Sequence, residues 1–154
     1  MSLPATPALS PDDKHIQRLG HAGLIPFVLL AATVWLVEPE LQPWAAIAMA
    51  GYAGLIVSFL GGIHWGLAFQ RQAQHMQAPV CTHLVWGVLA SLLAWPGMLM
   101  PAHAGLVWLA LALIACYLVD RRLYLAAGVG RWLTLRFRLS AVAALSCLLA
   151  AGAV

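Results

Sequence analysis

Apolar residues fill almost the whole chain beyond position 19 in five runs, interrupted only by brief polar, glycine- or proline-bearing connections. The runs cover about residues 20–37, 45–69, 80–100, 106–127 and 132–154. A helix needs roughly 20 apolar residues to cross the hydrocarbon core of a bilayer, and each run is near or above that length. The pattern predicts an all-α, polytopic membrane protein: a compact bundle of five transmembrane helices over residues 20–154. Pro26 cannot donate to the carbonyl of Ala22, so the first span should kink or loosen there; Pro96 does the same near the far end of the third.

Residues 1–19 are polar and have no apolar core of signal-peptide type. Ser10-Pro11-Asp12-Asp13 has the composition of a helix start, with a serine cap, proline at the first helical position and acids in the first turn. The segment is expected to be an N-terminal cytoplasmic tail or a short interfacial helix, with Ile16 and Leu19 towards lipid and Lys14 and Arg18 towards water.

Composition agrees with the pattern. Of 154 residues 63% are hydrophobic and 8% charged, whereas soluble domains carry about 25% charged residues; the mean hydropathy is +0.88. The net charge of +3 would suit a nucleic-acid binder, but its distribution points elsewhere. Lys14, Arg18, Arg71, Arg121, Arg122, Arg131, Arg136 and Arg138 all fall on one side of a five-span topology, and the connections on the other side have no basic residue. By the positive-inside rule the N-terminus is then inside and the C-terminus outside, and no nucleic-acid partner is expected.

Candidate chemistry is concentrated in SFLGGIHWGLAF, residues 58–69. Ala46, Ala50, Gly54, Ser58, Gly62 and Gly66 recur every fourth residue, a small-residue ridge of the kind that lets helices approach closely in lipid. Gly54, Ser58, Gly62 and Gly66 are therefore expected at a helix interface, with the bulky stripe Tyr52, Ile56, Phe59, Ile63 and Leu67 facing lipid. His64 lies off that stripe and should turn inward, since an imidazole among acyl chains would strand its polar atoms. His21, His83 and Asp120 fall at similar depth on three other helices. Together with Trp65 and Arg121 they form a candidate inner-leaflet site for a lipid-like or quinone-like ligand, set against a purely structural hydrogen-bond network.

The three histidines of this set have no local ligand spacing such as H-x-x-x-H, so no metal site is assigned. Cys81, Cys116 and Cys147 are odd in number and form no C-x-x-C, which argues against a disulfide framework or zinc. The seven tryptophans sort to the two membrane boundaries as an aromatic belt, Trp65 excepted. Five dispersed acids exclude paired-carboxylate or di-iron chemistry. No cofactor is identifiable.

The blocks LGHAGLIPF (19–27), GYAGLIVSFLGGIHWGLAF (51–69), SLLAWPGML (91–99) and RFRLS (136–140) resemble those of a family of small multi-pass membrane proteins, the domain of unknown function numbered thirty-four twenty-nine. SFLGGIHWG is the most specific of them. The family includes proteobacterial members and a eukaryotic transmembrane protein assigned to mitochondria, so the resemblance implies an energy-transducing membrane, here the bacterial inner membrane. It implies no activity. The function expected is a non-catalytic accessory or assembly factor, or a binder of a lipid-like or quinone-like ligand, with the bilayer, a membrane-protein partner or a second copy of the chain as associates. The alternatives are a membrane enzyme acting on a lipid or quinone with His64 as acid/base, and a small oligomeric transporter.

Overall fold

The computed structural model describes residues 11–74 and 80–154; the proposed serine cap at Ser10 lies outside them, as do residues 75–79 between the second and third apolar runs. The described residues form six α-helices: α1 Pro11–Ala22, α2 Ile25–Leu36, α3 Gln42–Ala73, α4 Val80–Leu99, α5 Ala102–Ala126 and α6 Leu133–Ala151, the last preceded by a 3₁₀ turn Gly130–Trp132. With α1 and α2 taken as one broken span, Pro11–Leu36, and the 3₁₀ turn joined to α6, there are five spans long and apolar enough to cross a membrane. The protein is a five-span helical membrane bundle.

The break in the first span lies at Gly23–Leu24, two to three residues before Pro26. Proline occupies the first turn of α2, where its missing N–H interrupts the helical ladder and is best tolerated. The strain is taken up just upstream, where Leu24 N–H bonds the His21 carbonyl at 2.9 Å in a tightened turn. In α4 the chain stays helical through Pro96. There the Trp108 indole donates to the Leu93 carbonyl at 2.7 Å, close to where the proline disturbs the ladder.

The long helix α3 is the centre of the bundle, with α4 its most extensive partner and α5, α2 and α6 around it. The apolar core comprises Phe27, Val34, Met49, Val57, Leu106, Leu109 and Leu113 with many alanines between them. One end of the bundle carries α1, the α3 C-terminus and the α5–α6 connection, with all the basic residues of the described chain; we call it the basic end.

The small-residue ridge of α3 does not stay at one interface. Residues four apart advance by about 40° beyond a full turn, so from Ala46 to Gly66 the ridge winds through roughly 200°. Ala46, Ala50 and Gly54 are buried and Ser58 is half-buried, but Gly62 and Gly66 are exposed, with open space where a Cβ would stand. The close approach is made instead by Gly61, whose Cβ would lie 2.5 Å from the Gly87 carbonyl oxygen of α4. The bulky stripe is displaced for the same reason. Tyr52, Ile56 and Ile63 pack against the core, Tyr52 donating to the Gly23 carbonyl at 2.8 Å, while Leu55, Phe59 and Phe69 face outward.

Candidate functional site: a buried five-residue polar chain

Two turns of α3 separate His64 from Arg71, which puts both on one face. That face meets His83 of α4, Asp120 of α5 and Arg136 of α6 inside the bundle. His64 is 0% exposed, Asp120 1%, His83 2%, and the two arginines 8% each. The contacts run in sequence across four helices. Arg71 Nη1 lies 3.2 Å from His83 Nε2, His83 Nδ1 3.0 Å from His64 Nδ1, and His64 Nε2 2.7 Å from Asp120 Oδ1. Arg136 closes the chain by donating to Asp120 Oδ2 through Nε at 2.9 Å and also through Nη2. Arg71 Nη2 additionally donates to the Ala126 carbonyl at 2.6 Å, tying the ends of α3 and α5 together.

The direction of each hydrogen bond follows from its end groups. A guanidinium only donates and a carboxylate only accepts. Arg71 therefore donates to His83 Nε2, which leaves Nδ1–H of His83 to donate to His64 Nδ1, and Nε2–H of His64 to donate to Asp120. Both imidazoles are neutral in this arrangement, and every shared proton points towards the carboxylate. A doubly protonated His64 would force His83 into the opposite tautomer and set its Nε2–H against the Arg71 donor. With one carboxylate against two guanidiniums, the chain carries a net charge of +1 away from water. The His64 and His83 rings also stack at 5.2 Å between centroids, with the Tyr124 ring 5.7 Å from His64.

Of the sequence-predicted site residues, His64, His83 and Asp120 meet as described. His21, Trp65 and Arg121 do not join them. His21 is exposed at the end of α1, its Nδ1 bonded to the Gln17 carbonyl at 2.7 Å. Trp65 is 40% exposed, its indole donating to the Leu84 carbonyl at 3.1 Å where it lies over Gly87. Arg121, about 100° around α5 from Asp120, is exposed and lines a groove against α4. Arg71 and Arg136 are the members that sequence reasoning missed. The seven-residue spacing from His64 was the available signal for Arg71, and the family-like block around Arg136 was the signal for the other. Among the described residues no three His, Cys, Asp or Glu side chains are grouped to hold a metal ion.

One polar atom beside the chain is left over. Ser140 stands one turn beyond Arg136 on α6, and its buried hydroxyl has no hydrogen-bond partner. It lines a cavity of about 140 Å³ between the α1–α2 break, α3, α5 and α6 whose walls are otherwise apolar, among them Phe27, Ile56, Leu60 and Leu113, with Arg136 at one end.

Residues 13–152 match the family described as "Protein of unknown function (DUF3429)", and the chain belongs to that family. A stretch of 92 residues is 37% identical to "Transmembrane protein 69" of Xenopus tropicalis; it covers 60% of this chain and 35% of the frog protein. The chain thus matches about a third of the length of that relative. No solved structure matches.

Proposed function

We propose that this member of the family is a non-catalytic membrane component that binds a lipid-like or quinone-like ligand in the cavity beside Ser140, with the polar chain as the rigid frame of the site. The observation that carries this reading is the Ser140 hydroxyl, buried without a partner against an apolar cavity. Leaving such a group unsatisfied costs about 1–3 kcal/mol, a cost a ligand oxygen accepting from Ser140 and Arg136 would remove. The cavity volume is close to the ~150 Å³ of an apolar cavity that admits a benzene ring. It therefore suits a ring or the first part of a tail, with the remainder of the ligand in the bilayer. His64 takes part at one remove, through Asp120 and Arg136. Its ring has no exposed surface, which weighs against direct contact with a substrate and so against the acid/base alternative.

The orientation belongs to the same reading. The basic end is proposed to face the cytoplasm of a bacterium, with the C-terminus outside, on the strength of the positive-inside distribution. Reporter fusions after Val154 should read out as external; a cytoplasmic signal there would reverse the topology.

Ser140→Ala tests the site. Removing an unsatisfied hydroxyl should leave the melting temperature in mild detergent unchanged or raised, while retention of an added short-chain quinone, or of a small molecule extracted from the wild-type preparation, should fall. Wild-type retention by Ser140→Ala would overturn the proposed site. Co-purification of a stoichiometric protein partner with no small molecule would favour the accessory role over ligand binding.

A further inference from the structure

A second groove, of about 920 Å³, runs between α4 and α5 at the basic end. Thr82, Val85 and Leu89 line it from α4, and Leu118, Arg121 and Arg122 from α5. Each set shares a helix face, so the groove is a continuous strip rather than a dimple. Val85 is 50% exposed, Leu89 44% and Leu118 53%, all three on the outer surface of the bundle. Arg121 and Arg122 stand at its head, about 6–8 Å before the end of α5 by helical rise. No acidic residue lines the groove. Asp120, which precedes Arg121 directly in sequence, is turned into the bundle and engaged by His64 and Arg136. Among the described residues neither Arg121 nor Arg122 has a carboxylate partner.

Two unneutralised guanidiniums therefore head an apolar channel that opens sideways to lipid. We propose that the α4–α5 groove is a site for an anionic phospholipid. The phosphate is held by Arg121 and Arg122, with the Thr82 hydroxyl beside them, and one acyl chain lies along Val85, Leu89 and Leu118. Guanidinium forks match phosphate oxygens geometrically, and basic pockets between membrane helices are suited to anionic head groups. Charge complementarity selects the occupant: a zwitterionic lipid brings its own cation to the arginines, and a free phosphate gains nothing from the apolar strip. This site is separate from the Ser140 cavity and does not depend on it.

The test is native mass spectrometry of the full chain in mild detergent, titrated with phosphatidylglycerol, with phosphatidylcholine of the same acyl chains, and with inorganic phosphate. Phosphatidylglycerol should bind well above phosphatidylcholine, and inorganic phosphate should neither bind nor compete. At about five-fold per arginine, Arg121→Gln/Arg122→Gln should weaken phosphatidylglycerol binding by roughly 25-fold. Lys14→Gln/Arg18→Gln removes the same charge from the same end and should change it less than two-fold. Both pairs are exposed, so folding is not at stake. Val85→Trp should block the strip and weaken binding with both arginines intact. Undiminished binding by Arg121→Gln/Arg122→Gln, an equal loss in the charge-matched control, or competition by inorganic phosphate would each overturn the proposal.

Discussion

The two halves of this bundle are held together by different physics. At the basic end, five polar side chains on four helices are bonded into one directed chain, with two cations and one anion sealed from water. From the middle to the other end, helices meet through missing side chains. Gly61 faces Gly87 across α3 and α4, a Cβ on Gly54 would press on the Met98 side chain at 2.5 Å, and a Cβ on Gly105 would collide with the Gly97 carbonyl. In lipid no hydrophobic force separates a well-packed interface from a poor one, so close backbone approach and interhelical hydrogen bonds are the available means of association. The glycine contacts require only shape. The polar chain requires every member, because a low-dielectric interior magnifies both the bond and its loss.

That difference makes Asp120 the most sensitive residue. It is the sole acid among the five bonded side chains and accepts from His64 and Arg136 together. Asp120→Ala would leave the buried Arg136 guanidinium unopposed, and breaking a buried ion pair from one side costs about 3–5 kcal/mol. Thermal unfolding in mild detergent should show the largest drop of any single substitution in the molecule. Asp120→Leu with Arg136→Met should recover part of it, since apolar replacement of both partners removes the stranded charge. Wild-type stability in Asp120→Ala would show that the chain is not what holds this end.

The glycine half should respond less and in a position-specific way. Gly61→Leu forces a bulky side chain against the α4 backbone, and overpacking typically costs about 1–3 kcal/mol. Gly62→Leu, one residue away, meets open space and should fall within about 0.5 kcal/mol of wild type. Equal losses at the two positions would mean that α3 is rotated away from the Gly61–Gly87 contact.

That pair also shows which parts of the molecule can be read from sequence. Five spans were legible because hydropathy integrates over some 20 residues and tolerates error in any one. The inward turn of His64 was legible because a lone imidazole facing lipid is expensive. Azimuth over a long helix was not: the four-residue repeat hides a drift of about 40° per step, enough to carry Gly62 and Gly66 out of the interface that Ala46 and Gly54 occupy. Depth without azimuth also explains His21, which shares the level of His64 but sits on α1, a helix whose contacts are with α6. Arg71 and Arg136 were obscured by the charge count along the chain. Both lie at the basic end and count as topology markers, yet both are 8% exposed and serve the interior.

The smallest effect is the most informative about mechanism, because it divides the polar chain at its centre. In His64→Gln the amide nitrogen falls near the position of Nε2 and keeps a donor on Asp120, but nothing remains to accept from His83 Nδ1–H. In His64→Asn the shorter amide falls near Nδ1, so its oxygen can accept from His83 while Asp120 Oδ1 loses its donor. A hydrogen bond between neutral groups contributes about 0.5–1.5 kcal/mol and one to a charged group about 1.5–3. His64→Gln should therefore cost about 1 kcal/mol, and His64→Asn more, when the two are compared by thermal unfolding against wild type. The reverse order would mean that the protons do not run from Arg71 towards Asp120. The same variant separates frame from catalyst. An amide does not titrate near neutral pH, so a His64→Gln protein that keeps both its fold and its ligand retention leaves no acid/base role for His64. One that keeps its fold, yet loses a phenotype that Ser140→Ala leaves intact, would move the function from the cavity to the imidazole itself.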